Sequence, residues 1–233
     1  MKNVIVTGAS GGMGRCAVSA LVDMGCRVIA LDRKPMDFGD GVSFIEVDVT
    51  DSASVEDAVE KIKEITDEIY AIVHYAGIYM LDSLVEIGND EMRKIFDVNL
   101  FGVMLLNKSL VPLMKRGSRI VITTSELAPL DPLPYTGIYA ITKAALDKYA
   151  YSLAMELQLL GISVSVLRAG AVDTGMIGAS VSALDAFCEK TKLYSCNAER
   201  FKRIVNGVEA RRILPKKIAD KTVKILKKRK NNA

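Results

Sequence analysis

Six short runs of apolar residues recur along the chain: NVIVT (3–7), CRVIALD (26–32), VSFIEVD (42–48), IYAIVHYA (69–76), RIVITTS (119–125) and ISVSVLRAG (162–170). They are rich in Val and Ile and mostly continuous, without the alternation of a half-exposed sheet. They therefore read as strands covered on both faces, which implies a parallel sheet. Between them the spacing turns helical. In DVTDSASVEDAVEKIKEI (48–65), Val55, Ala58, Val59, Ile62 and Ile65 form one stripe, and Asp51 or Ser52 can cap the start. Strand and helix alternating in this way predict an α/β fold. It is a doubly wound parallel sheet of six or seven strands with helices on both faces, in a single domain over 1–233.

Beyond residue 170 the strand signal fades. The stretch DTGMIGASVSALDAFCEKTKLYSCNAERFKRIVNG (173–207) reads as a loop followed by short helices, too long for a mere connection. Residues 175–210 are expected to form a helical loop covering a substrate, walled by Met176, Ile177, Val181, Leu184, Phe187, Leu193 and Tyr194. The alternative is that these residues simply pack the segment against the domain. A last helix starts at Pro215 and runs into lysines, with no seventh strand pattern after it. Long helices near 100–115 and 139–160 are suited to pairing across a two-fold axis, so a homodimer or homotetramer is expected.

With 233 residues, 50% of them hydrophobic, the chain can bury a large core. No apolar run approaches the roughly 20 residues of a membrane helix, and the apolar stretch in MKNVIVTGAS is too short for a secretory segment. A cytoplasmic protein without a membrane partner is expected. Cys16, Cys26, Cys188 and Cys196 form no C-x-x-C pair and read as buried thiols, and His74 is the only histidine, so no metal is expected. The formal charge is +3, and the lysines of KKIADKTVKILKKRKNN (216–232) read as a solvated helix face and tail, with no nucleic-acid partner.

The first strand runs straight into Gly8, Gly11, Gly12 and Gly14. A chain stripped of side chains at that point suits a phosphate, because amide N–H groups and the helix dipole face the anion and nothing blocks its approach. The P-loop pattern fails at Met13-Gly14, and G-x-G-x-x-G fails at Ala17. TGASGGMG (Thr7 to Gly14) instead has the form T-G-x-x-x-G-x-G. It resembles the short-chain dehydrogenase/reductase family, single-domain Rossmann-type oxidoreductases that bind a nicotinamide dinucleotide. Further motifs follow in the family's order over residues 3 to about 175: Asp48 in VDV, Asn99 in DVNLFG, and Tyr139 and Lys143 in YAITK.

The resemblance implies a site. Cofactor-binding residues would be Gly8, Ser10, Gly12, Met13 and Gly14 of the turn, Asp32 and Arg33 after the second strand, and Asp48 and Val49 after the third. Ala76, Gly77, Tyr139, Lys143, Val172 and Thr174 would complete the set. Asp32 stands where a ribose 2′-hydroxyl would lie, which favours NAD, whereas Arg33 beside it leaves NADP open. Gly11 lacks the basic residue that NADP-preferring relatives often carry.

The catalytic residues would be Asn99, Ser125, Tyr139 and Lys143. Tyr139 and Lys143 lie one helical turn apart, so the ammonium can favour the phenolate. Ser125 stands fourteen residues before Tyr139, one more than usual in the family, which leaves Thr124 and Glu126 as alternatives. Tyr139 would exchange a proton with a substrate oxygen held by Ser125 while hydride passes to or from the nicotinamide. Asn99 would hold a water linking Lys143 to solvent.

Two departures stand out. HYAG (74–77) replaces the family's N-N-A-G, with His74 read as hydrogen-bonded within the sheet end, and Ala169 replaces a proline. The expected reaction is hydride transfer between NAD(P) and a largely apolar secondary alcohol or ketone of small to moderate size. A non-catalytic NAD(H)-binding sensor of the same fold is the alternative.

Overall fold

A computed structural model describes residues 1–130, 133–207 and 212–228. Six strands form one sheet: β1 (Lys2–Thr7), β2 (Cys26–Asp32), β3 (Val42–Glu46), β4 (Ile69–His74), β5 (Met114–Ser125) and β6 (Ser163–Ala169). Every pairing is parallel, in the order β3-β2-β1-β4-β5-β6. All six predicted runs are strands. β3 and β4 stop two residues short of expectation, where the chain leaves the sheet for the loops at its C-terminal edge. β5 begins earlier than expected, at Met114, across a register shift between Ile69 and Ala71. Among the described residues there is no seventh strand.

Among the described residues eight α-helices flank the sheet: α1 (Gly12–Asp23), α2 (Ser52–Ile65), α3 (Asn89–Phe96), α4 (Gly102–Leu110), α5 (Gly137–Leu157), α6 (Gly175–Lys190), α7 (Ser195–Gly207) and α8 (Pro215–Lys227). Asp51 caps α2 by accepting from Ala53 N at 3.0 Å. Successive strand residues face opposite ways, so each strand feeds two cores. Ile5, Ile29, Ile72 and Ile120 pack with Val55 of α2, Leu106 of α4 and Leu146 of α5. Val4, Val28, Val73 and Val121 pack with Val18 and Leu21 of α1 and Ile218 and Leu226 of α8. Each such side chain contributes about 1.5–3 kcal/mol.

Against the sequence expectation, the run Asn89–Leu113 is long and apolar enough by composition to cross a membrane. Its Ile95, Val103, Leu106 and Leu110 are buried within the domain, which is the reason for its apolar character here. Of the four cysteines, all free, Cys26 is buried, Cys16 and Cys188 are half-buried, and Cys196 is exposed rather than buried as expected.

The strand order reverses between β1 and β4. The loops leaving those two strands diverge, and doubly wound sheets take their ligands in the crevice so formed at the carboxyl ends.

Candidate active site

β1 delivers the chain to Gly8 in a left-handed conformation, φ +65°. A Cβ there would lie 2.5 Å from Ala76 N, and one at Gly14 would lie 2.1 Å from Gly8 O. The turn thus folds onto itself and against the loop after β4 at a separation only glycine permits. Gly11 leaves the start of α1 without a side-chain cap. Asp32 fixes the rim, accepting from Ser10 N at 2.9 Å and Lys34 N at 3.0 Å. Asp48 accepts from Thr50 N at 2.9 Å and Thr50 Oγ1 at 2.7 Å, bonds that hold its carboxyl below the usual range, with the Arg33 guanidinium 3.7 Å away.

A cavity of about 390 Å³ opens above this turn. It gathers Gly8, Ser10, Gly12, Met13, Gly14, Asp32, Arg33, Asp48, Val49, Ala76, Gly77 and Thr174. Lys34 and Lys94 also line it, although no sequence motif singled them out. Val172, Tyr139 and Lys143 line an adjoining cavity of about 230 Å³ instead. The two share Met13, Tyr75, Gly77, Thr174 and Met176.

In the second cavity Ser125, the last residue of β5, meets Tyr139 in the first turn of α5. Both side chains line its wall, and Ser125 Oγ accepts from Leu127 N at 3.2 Å. Of the alternatives, Thr124 donates to Asp147 Oδ1 at 2.9 Å, and Glu126 lines the same cavity with its carboxylate laid over Gly170. Burial pushes the Tyr139 phenol up to about 12, with the nearby Ser125 hydroxyl acting in the other direction, and pushes Lys143 down to about 8. This reverses the expected tuning of the phenol by the ammonium. Lys143 Nζ stands 5.7 Å from the Tyr139 ring centroid, and with both groups removed from water, desolvation outweighs their interaction. The Tyr79 ring, which sequence reasoning missed, packs 5.0 Å from that of Tyr139 and lines the same cavity.

Asn99 sits fully buried in a π-helical turn, Asp97–Phe101, between α3 and α4. Its Oδ1 accepts from Ile78 N at 2.8 Å, and its Nδ2 donates to Ile78 O at 3.0 Å and Thr142 Oγ1 at 3.1 Å. Both amide protons are spent in these bonds. Asn99 straps the loop after β4 to α5 beside Lys143. In HYAG, His74 Nε2 bonds Asn107 Oδ1 at 3.0 Å, and burial pushes the ring down to about 4, which leaves it neutral near pH 7. The Tyr75 hydroxyl bonds Thr222 of α8.

Residues 2–185 match the family model described as short chain dehydrogenase. The chain belongs to the short-chain dehydrogenase/reductase family. It is 31% identical over 173 residues to a 3-ketodihydrosphingosine reductase of Bacteroides thetaiotaomicron, covering 74% of this chain and 64% of that protein. It is 33% identical over 184 residues to the 3-oxoacyl-(acyl-carrier-protein) reductase FabG of Salmonella typhimurium, covering 75% of each. The chain therefore spans about two thirds to three quarters of the length of these curated relatives. The ligand-free aldohexose dehydrogenase of Thermoplasma acidophilum superposes with a TM-score of 0.78 at 28% identity, over 95% of this chain and 85% of that one.

In this short-chain dehydrogenase/reductase the helices after β6 contribute less wall than expected. Thr174 caps α6, accepting from Met176 N at 3.3 Å, and the first turns of α6 present Met176 and Ser180 to the second cavity. Leu184 and Phe187 are instead buried against Leu81, Tyr79, Tyr135, Tyr194 and Phe201, while Val181 and Leu193 face solvent. Helical periodicity marks an apolar stripe but not what the stripe meets. The side chain of Ile177 and residues 208–210 lie outside the described residues. Lys190 pairs with buried Asp82, and Glu86 accepts from Thr191 Oγ1 at 2.6 Å and Lys192 N at 2.9 Å. These bonds tie the end of α6 to the loop after β4.

Proposed function

We propose that this protein is an NAD-preferring oxidoreductase that interconverts a secondary alcohol and its ketone, on a largely apolar substrate of small to moderate size. One observation carries the reading: Ser125, Tyr139 and Lys143 share the wall of a cavity that opens into the glycine cradle. The cradle fits a dinucleotide, because the Cβ atoms missing at Gly8 and Gly14 leave the turn tight and α1 uncapped. Asp32 on the rim accepts from ribose hydroxyls and repels a 2′-phosphate, while Arg33 is drawn toward Asp48.

The bound nicotinamide supplies the hydride chemistry. Ser125 donates to the substrate oxygen and orients it. Tyr139, protonated with its pKa near 12, gives its proton to that oxygen in reduction and recovers it in oxidation. Lys143, one turn along α5, holds positive charge beside the phenol and reaches toward the cradle past Gly77. Residues 175–207 cover the substrate through Met176 and Ser180. Exposed apolar residues Phe101, Met104, Ile141, Tyr151 and Met155 on α4, α5 and the adjoining π turn form the face on which a homodimer would pair.

Titration with NADH and NADPH, read by nicotinamide fluorescence, tests the cofactor. Tyr139→Phe tests the chemistry. The variant should lose at least a hundredfold in turnover while binding NADH within about twofold of the parent, the range expected for removal of a general acid. Unchanged turnover, or no dinucleotide binding at all, would sink the reading.

A further inference from the structure

We propose that Glu126 selects the substrate: its carboxylate receives an ammonium carried on the carbon next to the reacting one. The preferred pair is then an amino ketone and the corresponding amino alcohol. This deepens the oxidoreductase reading above and rests on it.

The position is fixed by the sheet. Ser125 pairs with Ala169 in the β5–β6 register, and Glu126 N donates to Ala169 O at 3.0 Å, so the backbone continues the ladder one step past the serine. Ser125, Glu126 and Gly170 line one cavity, and the Glu126 carboxylate lies over Gly170, so it faces the space beside a carbonyl held by Ser125. The side chain is laid across Gly170, where a Cβ would come within 2.6 Å of Oε2 and 3.1 Å of Oε1. Any other residue at 170 would displace the carboxylate from the cavity wall.

Nothing among the described residues neutralises it. No salt bridge or side-chain hydrogen bond engages the Glu126 carboxylate there, although the chain carries 31 Lys and Arg. The other charged side chain on the wall, Lys143, is buried and directed toward Thr123 O. The rest of the wall is largely apolar: Met13, Tyr79, Leu127, Val172 and Met176. A carboxylate without a partner on such a wall repels anionic substrates and complements a cation. Desolvation on ligand binding raises the worth of that pairing above that of an open surface pair.

The test uses a matched pair, 3-octanol and 2-amino-3-octanol, at a pH where the amine is protonated. Each is titrated into the protein saturated with NADH, a combination that binds without reacting, for the wild type and for Glu126→Gln. Exposed ion pairs are worth up to about fivefold in an equilibrium, so the wild type should bind the amino alcohol about fivefold more tightly. In Glu126→Gln the ratio should fall to near one. No preference in the wild type, or a preference that survives the substitution, overturns the proposal.

Oxidation of both alcohols with NAD is read separately. Charge-dependent binding with no oxidation of either alcohol leaves Glu126 as the cation site and removes the oxidoreductase reading. Equal binding and equal oxidation do the reverse.

Discussion

Asn99 joins three parts of the site, and replacing it by leucine separates its structural role from any chemical one. Leucine keeps the side-chain size but deletes three hydrogen bonds, of 2.8, 3.0 and 3.1 Å. Ile78 N–H, Ile78 C=O and Thr142 Oγ1 each lose a partner. A buried polar group left unpaired costs about 1–3 kcal/mol. Thr142 keeps its bond to Tyr139 O at 2.8 Å, and Ile78 is only partly buried, so water recovers some of the loss. The sum is about 3 kcal/mol. With a urea slope near the upper end of the usual range, about 3 kcal/mol per molar, the midpoint should fall by about 1 M. Gly77, next to Ile78, lies against both Asn99 Oδ1 and Lys143 Nζ, so a loosened loop should also weaken NADH binding by about tenfold. Urea melts followed by fluorescence and an NADH titration measure both effects. A variant as stable as the parent that nevertheless loses turnover a hundredfold would refute the strut and assign Asn99 to the chemistry.

Three further outcomes follow from named contacts. Buried His74 has its pKa depressed to about 4 against an unfolded value near 6.5, so the unfolded state binds more protons between those limits. Stability from this group is complete above about pH 6.5 and falls by about 3 kcal/mol by pH 4, and a His74→Gln variant melted across that range should show a shallower slope; identical slopes would exclude His74 as the cause. Asp32→Ser should raise the NADPH-to-NADH affinity ratio by about tenfold by removing the carboxylate nearest the expected 2′ position, and an unchanged ratio would move the selection to Arg33 or Lys34. Met155→Glu, on the exposed face of α5, should turn a dimer into a monomer in sedimentation velocity, whereas a monomeric wild type would remove that interface.

The strands were legible because both faces of the sheet are covered, which makes each strand a continuous Val/Ile run whose position needs no knowledge of its partners. The cofactor cradle was legible for a related reason: Gly8 and Gly14 answer a steric demand within a few residues of themselves and of the loop after β4. What depends on the folded surroundings was not legible. The Tyr139 and Lys143 shifts follow from burial rather than from their four-residue spacing. The partners of Asn99 follow from a π turn that no residue pattern announces. Leu184 and Phe187 lie on an apolar stripe, but the stripe meets Tyr135 and Leu81 instead of the cavity.

Tyr135 connects that packing to α5. It is the one non-glycine residue at positive φ, +66°, among those described, a conformation that costs about 1–3 kcal/mol. Its ring lies 4.2 Å from that of Phe187, 5.2 Å from Tyr194 and 4.8 Å from Phe201, and each such aromatic pair is worth about 0.5–1.5 kcal/mol. Three pairs are enough to offset the strain. Its carbonyl also accepts from Asp82 N at 2.8 Å, the same Asp82 that pairs with Lys190 at the end of α6. The backbone at Tyr135 is therefore held in place by α6 and α7, and α5 begins two residues later with Tyr139 in its first turn. Seating of the helices after β6 and placement of the phenol share one set of contacts. Loosening the aromatic cluster relaxes the strain at Tyr135 and frees the start of α5 in the same step, so the proposed substrate cover and the proposed proton donor are assembled together.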